Sequence, residues 1–232
     1  MRRTLLAAVL ATVLATSAAC GGDDSADTPS GPALPDGTTL LTESAAEMRK
    51  VTSATFDIST EGEIASLPLK SAQGGITSTG DATGSANLDQ AGVPLELKFV
   101  IKDDTLYING LTGGWQKLPL AAAAAVYDPS AILDPDRGVA NVLSKATGTT
   151  EAKESVDGVE TYRVKAKLNG AAVAALVPGV TADVDGTVWV GADRKLAHRI
   201  TFTPPGQTGT VTIAFADFDE PVAVEPPALN GP

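Results

Sequence analysis

The stretch LELKFVIKDDTLYING, Leu95–Gly110, decides the fold. Leu95, Leu97, Phe99 and Ile101 alternate with Glu96, Lys98, Val100 and Lys102, so an extended strand here has one apolar face. Asp103-Asp104 supplies a turn, after which Leu106 and Ile108 resume the alternation. Asn109-Gly110 marks another tight turn ahead of Trp115. Two apolar-faced strands joined by so short a turn form an antiparallel pair, and such a sheet keeps one face for the core.

The same period of two recurs on both sides. Ala54, Phe56 and Ile58 alternate with Thr55, Asp57 and Ser59. After the Asp157-Gly158 turn, Tyr162, Val164, Ala166 and Leu168 alternate with Thr161, Arg163, Lys165 and Lys167. Three further strands carry Val188 and Val190; Leu196, His198, Ile200 and Phe202; and Val211, Ile213 and Phe215. About nine to eleven strands joined mostly by hairpins are expected, with His198 on the apolar side of its strand.

Helices are few. Leu41, Ala45 and Met48 fall at i, i+4 and i+7, which predicts a helix over about 38–50. In the centre, Asp128-Pro129 and Asp134-Pro135 each place a capping side chain before a residue suited to a first helical turn. Val139, Val142, Leu143 and Ala146 then follow at helical spacing, with Gly148 as the expected stop. Asn169-Gly170 opens a short Ala-rich helix that Pro178 ends.

The first nineteen residues read as an export signal: Arg2 and Arg3, an apolar run from Leu5 to Ala15, then Ser17-Ala18-Ala19. Cys20, the only cysteine, stands where cleavage is expected and is the predicted lipidation site. Ser17 departs from the aliphatic residue usual three places before such a cysteine. Residues 20–35 hold no aromatic or β-branched aliphatic side chain and read as a tether, spanning on the order of 20 Å as a coil. Residues 36–220 are expected to form one body and 221–232 a Pro-rich tail.

Composition excludes several functions. The 232 residues carry 17 Lys+Arg against 28 Asp+Glu, a formal charge of −11, which argues against nucleic acid as a partner. Removal of residues 1–19 takes away Arg2 and Arg3 and no acid, so the remaining 15 cations against 28 acids give −13. One Cys and one His leave no material for the common metal clusters, and no cofactor is expected. Asp183-Val184-Asp185-Gly186 has Arg194 where a calcium loop needs its glutamate. Asp103/Asp104 and Asp217/Asp219 read as turn and strand-end acids rather than a glycosidase pair. No nucleophile, phosphate-loop or zinc-hydrolase motif occurs, so the protein is not expected to be an enzyme. Of 232 residues 37 are Ala and only 10 aromatic, an apolar inventory of small pieces that fills a large interior poorly.

The central block Tyr127-Asp128-Pro129, Ile132-Leu133-Asp134-Pro135-Asp136 and Gly138-Val139-Ala140-Asn141-Val142-Leu143 resembles the mycobacterial LppX/LprA/LprF/LprG lipoprotein family. Cys20 with its polar tether, Ala33-Leu34-Pro35-Asp36, Thr105-Leu106-Tyr107, the Trp115 strand, Thr187-Val188-Trp189-Val190 and Leu196-Ala197 extend the resemblance over nearly all of the mature chain. It implies an α+β fold: an antiparallel half-barrel, covered on its open side by a few helices around an apolar cavity. It also implies the acyl chains of envelope glycolipids or phospholipids as cargo, lipoarabinomannan among them. Anchorage would be to the outer face of the plasma membrane through acylated Cys20, with a major-facilitator transporter as partner. From alternation and helical phase, the ligand face is expected to comprise Phe56, Ile58, Leu97, Phe99, Ile101, Ile108, Val126, Ile132, Val139, Val142, Leu143, Val188, Ile200 and Phe202. The competing expectation is a lipoprotein with a solid core that serves as a protein-interaction module.

Overall fold

The computed structural model describes residues 33–64, 67–90, 92–110, 113–123, 129–177 and 180–229. The export signal, Cys20, most of the tether, Val126 and Tyr127-Asp128 lie outside the described residues. The body opens with helix α1, Gly37–Met48, whose N-cap Asp36 accepts from the Thr39 amide at 2.8 Å. Six strands follow: β1 Ser53–Glu61, β2 Leu69–Thr77, β3 Ala82–Gln90, β4 Val93–Lys102, β5 Thr105–Asn109 and β6 Gln116–Pro119. Helix α2, Leu120–Ala123, a 3₁₀ turn at Pro129–Ala131 and helix α3, Val139–Ser144, come next. The chain then makes β7 Thr147–Val156, β8 Val159–Leu168, helix α4 Gly170–Val173, β9 Val184–Gly191, β10 Ala197–Phe202 and β11 Thr210–Ala216.

All eleven strands form one unclosed antiparallel sheet in the order β6-β5-β4-β3-β2-β1-β11-β10-β9-β8-β7. The order has a direct consequence. Each half is a meander of neighbours, and the two halves meet where β1 pairs with β11. Strands β6 and β7 are consecutive in sequence yet stand at opposite edges. The segment 120–146 therefore has to run from one edge of the sheet to the other, and it carries α2, the 3₁₀ turn and α3 with it. Helix α1 packs against α3 and β7.

The turns follow their residues. Asp103-Asp104 and Asp157-Gly158 have positive φ at both central positions, as two-residue hairpins require. The centre departs from its sequence reading. Asp134 accepts from the amides of Asp136 and Arg137 and starts no helix, and α3 begins after Gly138 with no side-chain cap. Gly148 lies in β7 rather than stopping α3, because the run Thr147-Gly148-Thr149-Thr150 favours a strand. A side chain on Gly37 would sit 2.7 Å from the Gly148 backbone, so the pair allows α1 to touch β7. His198 is a second correction. The β9–β10 register shifts between Ala197 and Arg199, and this extra residue turns His198 away from the apolar face. It lies against outward-facing Gly191 and edge-on to Phe218 at 5.3 Å.

Glu220 and Val222 pack onto the sheet. The Ser53 hydroxyl donates to the Glu220 carbonyl at 2.6 Å, and the Val222 side chain lies over Gly75 on the outer face of β2.

Candidate functional site

The two halves of the sheet bury their inner faces differently. Under α1 and α3 the packing is solid: Leu41, Val139, Leu143, Val164, Leu168 and Val188 are all fully buried in one cluster. Over β2–β6 an apolar cavity of about 270 Å³ remains. Its described lining is Phe56, Leu67, Pro68, Leu69, Ala72, Ala86, Leu88, Leu97, Phe99, Ile101, Leu106, Ile108, Leu118 and Leu120, without one polar side chain.

The register explains the void. Across β2 and β3, Ala72 pairs with Ala86, Gly74 with Gly84 and Ile76 with Ala82. Five of these six residues carry a methyl group or nothing, and the Ala72–Ala86 pair among them forms the cavity's low floor. Leu69 and Leu88 close it at one end and Ile101 at the other, with Phe56 and Phe99 on either side of the paired glycines. Tall walls on a low floor leave volume that water enters at a cost.

Five of the residues expected on the ligand face line this cavity: Phe56, Leu97, Phe99, Ile101 and Ile108. Eight others, Ile58, Ile132, Val139, Val142, Leu143, Val188, Ile200 and Phe202, pack in the core cluster outside its lining. Helix α1, stacked on α3, covers β7–β9, and these residues pack into the continuous core cluster instead of facing a void; Val126 lies outside the described residues. Ala72 and Ala86 escaped the sequence reading because β2 and β3 are written mostly in Gly, Ala, Ser, Thr and Asn. The signal that finds them is the small-residue alternation Ala82, Gly84, Ala86.

Polar recesses adjoin both ends. One, of about 460 Å³, is lined by Ser78, Thr79, Gly80, Asp81, Asp103, Asp104, Ser130, Asp134 and Arg137, and it shares Ile101 and Leu120 with the cavity. The other includes Glu63, Lys70, Asp89 and Gln207 and shares Leu67 and Pro68. In the first, the Lys102 ammonium donates to Asp81 at 2.6 Å, which holds its pKa above the usual lysine value. Burial pushes the Asp134 carboxyl up, but the amides of Asp136 and Arg137 and the Arg137 guanidinium outweigh it and hold the pKa low.

A wider groove of about 900 Å³ crosses the outer face, with Asp57, Gln73, Lys98, His198 and Asp217 among its lining. Its lining is mixed, with Phe56, Val156, Phe215 and Phe218 among these polar side chains, whereas the cavity's is wholly apolar. Burial and the nearby Arg194 push the His198 pKa below its ordinary 6.5, against the pull of Asp157. The unfolded chain therefore binds this proton first. As pH falls from about 6.5 through the depressed value, part of the folding stability is lost. Thermal melts between about pH 7.5 and pH 5 are expected to show that loss, and His198→Gln is expected to flatten it.

The sequence profile of the LppX_LprAFG lipoproteins matches residues 36–224. The chain belongs to that family. A lipoarabinomannan carrier protein LprG of Mycolicibacterium smegmatis is 37% identical over 230 residues, covering 96% of this chain and 95% of the relative. The protein of the same name from Mycobacterium tuberculosis is 31% identical over 229 residues, covering 96% and 95%. Among solved structures, LprF of Mycobacterium bovis superposes with a TM-score of 0.73 at 22% identity over 83% of this chain and 97% of that one. LppX of Mycobacterium tuberculosis gives 0.62 at 20% identity over 81% and 97%. The unclosed antiparallel sheet with few helices is thus the fold of the LppX_LprAFG group, which is one of lipoproteins and carriers rather than of enzymes. Among the described residues no helix is long and apolar enough to cross a membrane.

Proposed function

We propose that the protein is an exported lipoprotein, anchored to the outer face of the plasma membrane through acylated Cys20. It takes acyl chains of envelope glycolipids into the cavity over β2–β6 and carries them toward the outer envelope. The observation that carries this reading is the wholly apolar lining of that cavity, next to polar recesses where a head group can stay wet. The relatives named as lipoarabinomannan carriers support the same class of cargo, acylated glycolipid. Phe56, Leu97, Phe99, Ile101 and Ile108 are the residues we assign to the acyl chain. A major-facilitator transporter is the partner that the family resemblance implies.

The volume, about 270 Å³, lies near the lower end of ordinary ligand pockets, roughly 300–1,000 Å³. It suits part of one acyl chain among the described residues rather than a whole multi-chain lipid. The test is mass spectrometry of organic extracts of the protein purified from an actinobacterial host. Acyl lipid at about one equivalent is expected. Recovery of none would leave the solid half under α1 and α3 as the guide and favour a protein-interaction module.

A further inference from the structure

We infer that the tip of the β3–β4 hairpin is the surface the protein sets against a lipid bilayer, with Val93 and Leu95 as a dry path between the hydrocarbon and the cavity. The inference rests on the carrier reading and adds the place where cargo enters and leaves.

The hairpin projects from the sheet. Strand β4 pairs with β3 from Ile101 to Val93 without a shift in register. Its other neighbour, β5, reaches only residues 98–102, and the last pair that β2 makes with β3 at this end is Leu69 with Leu88. Residues 93–97 therefore run on past β5 as an arm of about 17 Å, at ~3.3 Å per residue.

Alternation carries the cavity's inner face out along this arm. Phe99 and Leu97 line the cavity, and Leu95 and Val93 follow at the same period of two. Leu95, opposite half-buried Leu88 that closes the cavity here, is itself half-buried. Val93 is 64% exposed, the most of the large apolar side chains among the described residues. A single exposed valine is ordinary on a protein surface. This one ends a stripe that begins inside the cavity. The opposite face of the arm carries exposed Asn87 and Glu96, so the arm has one apolar and one polar side, as a segment lying at a water–hydrocarbon interface needs. Asp89 accepts from the Gly92 amide at 2.7 Å and so shapes the turn that presents Val93.

The cost of crossing water makes such a path useful. Each methylene that has to pass through water slows a transfer about fourfold. The other end of the cavity, at Ile101 and Leu120, opens among Asp81, Asp103, Asp104 and Asp134, which hydrocarbon does not accept. One valine gives only a weak hold, which suits a carrier that has to leave again.

The test uses the chain left after removal of the export signal, residues 20–232, carrying Cys20→Ser; this takes away the acyl anchor and leaves no cysteine. Donor vesicles of dioleoylphosphatidylcholine hold a trace of radiolabelled monoglucosyl-dioleoylglycerol, and acceptor vesicles hold none. Protein-dependent transfer is expected to speed up as acceptor vesicles are added, as contact requires. Val93→Asp is expected to slow transfer at least about tenfold, because a carboxylate resists entry into hydrocarbon. Lipid bound per protein at equilibrium and the melting temperature are expected to match the parent's. Val159→Asp, at the similarly exposed start of β8, is expected to leave the rate unchanged. In a second readout, Val93→Cys coupled to an environment-sensitive dye is expected to shift its emission to the blue when vesicles are added, and Val159→Cys is not. A rate indifferent to Val93→Asp, equal slowing by Val159→Asp, a fall in equilibrium loading that matches the fall in rate, or no emission shift at position 93 overturns the proposal while leaving the carrier reading intact. If the parent neither binds nor transfers the lipid, the carrier reading itself falls and this proposal with it.

Discussion

Ala86→Trp is expected to empty the protein of lipid while leaving it folded. Ala86 lies mid-floor, paired with Ala72 on one side and Leu97 on the other, and its methyl group faces the void of about 270 Å³. An indole placed there meets space instead of side chains, so the overpacking cost of roughly 1–3 kcal/mol seen in filled cores is largely avoided. The consequence for binding is severe because the exchange is so finely balanced. A sixteen-carbon chain is worth about 12 kcal/mol against water, at ~0.8 per CH₂. A chain leaving a bilayer already has its tails in hydrocarbon, so the net gain is set by fit alone. Loss of half the volume then costs the several methylenes that no longer enter, and each two or so cost about tenfold in occupancy. Extracted acyl lipid is therefore expected to fall by more than about tenfold, with the melting temperature within about 3 °C of the parent. The companion is Val188→Trp, at a fully buried position of the solid half. It is expected to lower the melting temperature by about 5 °C or more, since nothing there can yield. Similar behaviour of the two variants would mean that the volume over β2–β6 is no ligand space.

That contrast also marks how far the sequence carried the structure. Where a strand is written in Leu, Val, Ile and Phe, as in β4, β8 and β11, alternation alone identifies its inner face. The single exception on such a strand is His198, where one extra residue in β10 reverses the parity, and no local signal announces a bulge. Strands β2 and β3 are the opposite case. Their inner residues are small, so they contribute little hydrophobic contrast, and that smallness is also what leaves the cavity. The feature that makes the site thus conceals it from a reading based on apolar periodicity. The split between the solid and hollow halves was equally out of reach. It depends on where α1 and α3 settle, and Val142 or Val188 alternate no differently from Phe99.

The second large effect belongs to the paired glycines two residues along from the Ala72–Ala86 floor of the cavity, and it falls on stability first. Gly74 and Gly84 face each other directly across β2 and β3. A Cβ on Gly74 would lie 2.0 Å from the Thr83 carbonyl oxygen, and one on Gly84 would lie 2.1 Å from that of Gln73. Both obstacles are backbone, so no rotamer change relieves them; the ladder itself has to open. Neither glycine sits at positive φ, which makes close approach, rather than backbone freedom, the reason for glycine. Gly84→Ala is expected to cost about 3–5 kcal/mol, the range of severe core lesions, and to lower the melting temperature by about 10 °C or more. The comparison is Gly92→Ala in the β3–β4 turn. There a Cβ meets nothing within 4 Å and only the left-handed φ of +83° is strained, so the loss should be about 1–2 kcal/mol. Equal losses would show that strand conformation, not the approach of β2 to β3, requires the glycines. A larger loss at Gly84 would tie the glycine pair to the close approach of β2 and β3. In that case any side chain added at the glycine pair breaks the sheet before it fills the void, and only the neighbouring alanines remain as places where volume can be tuned.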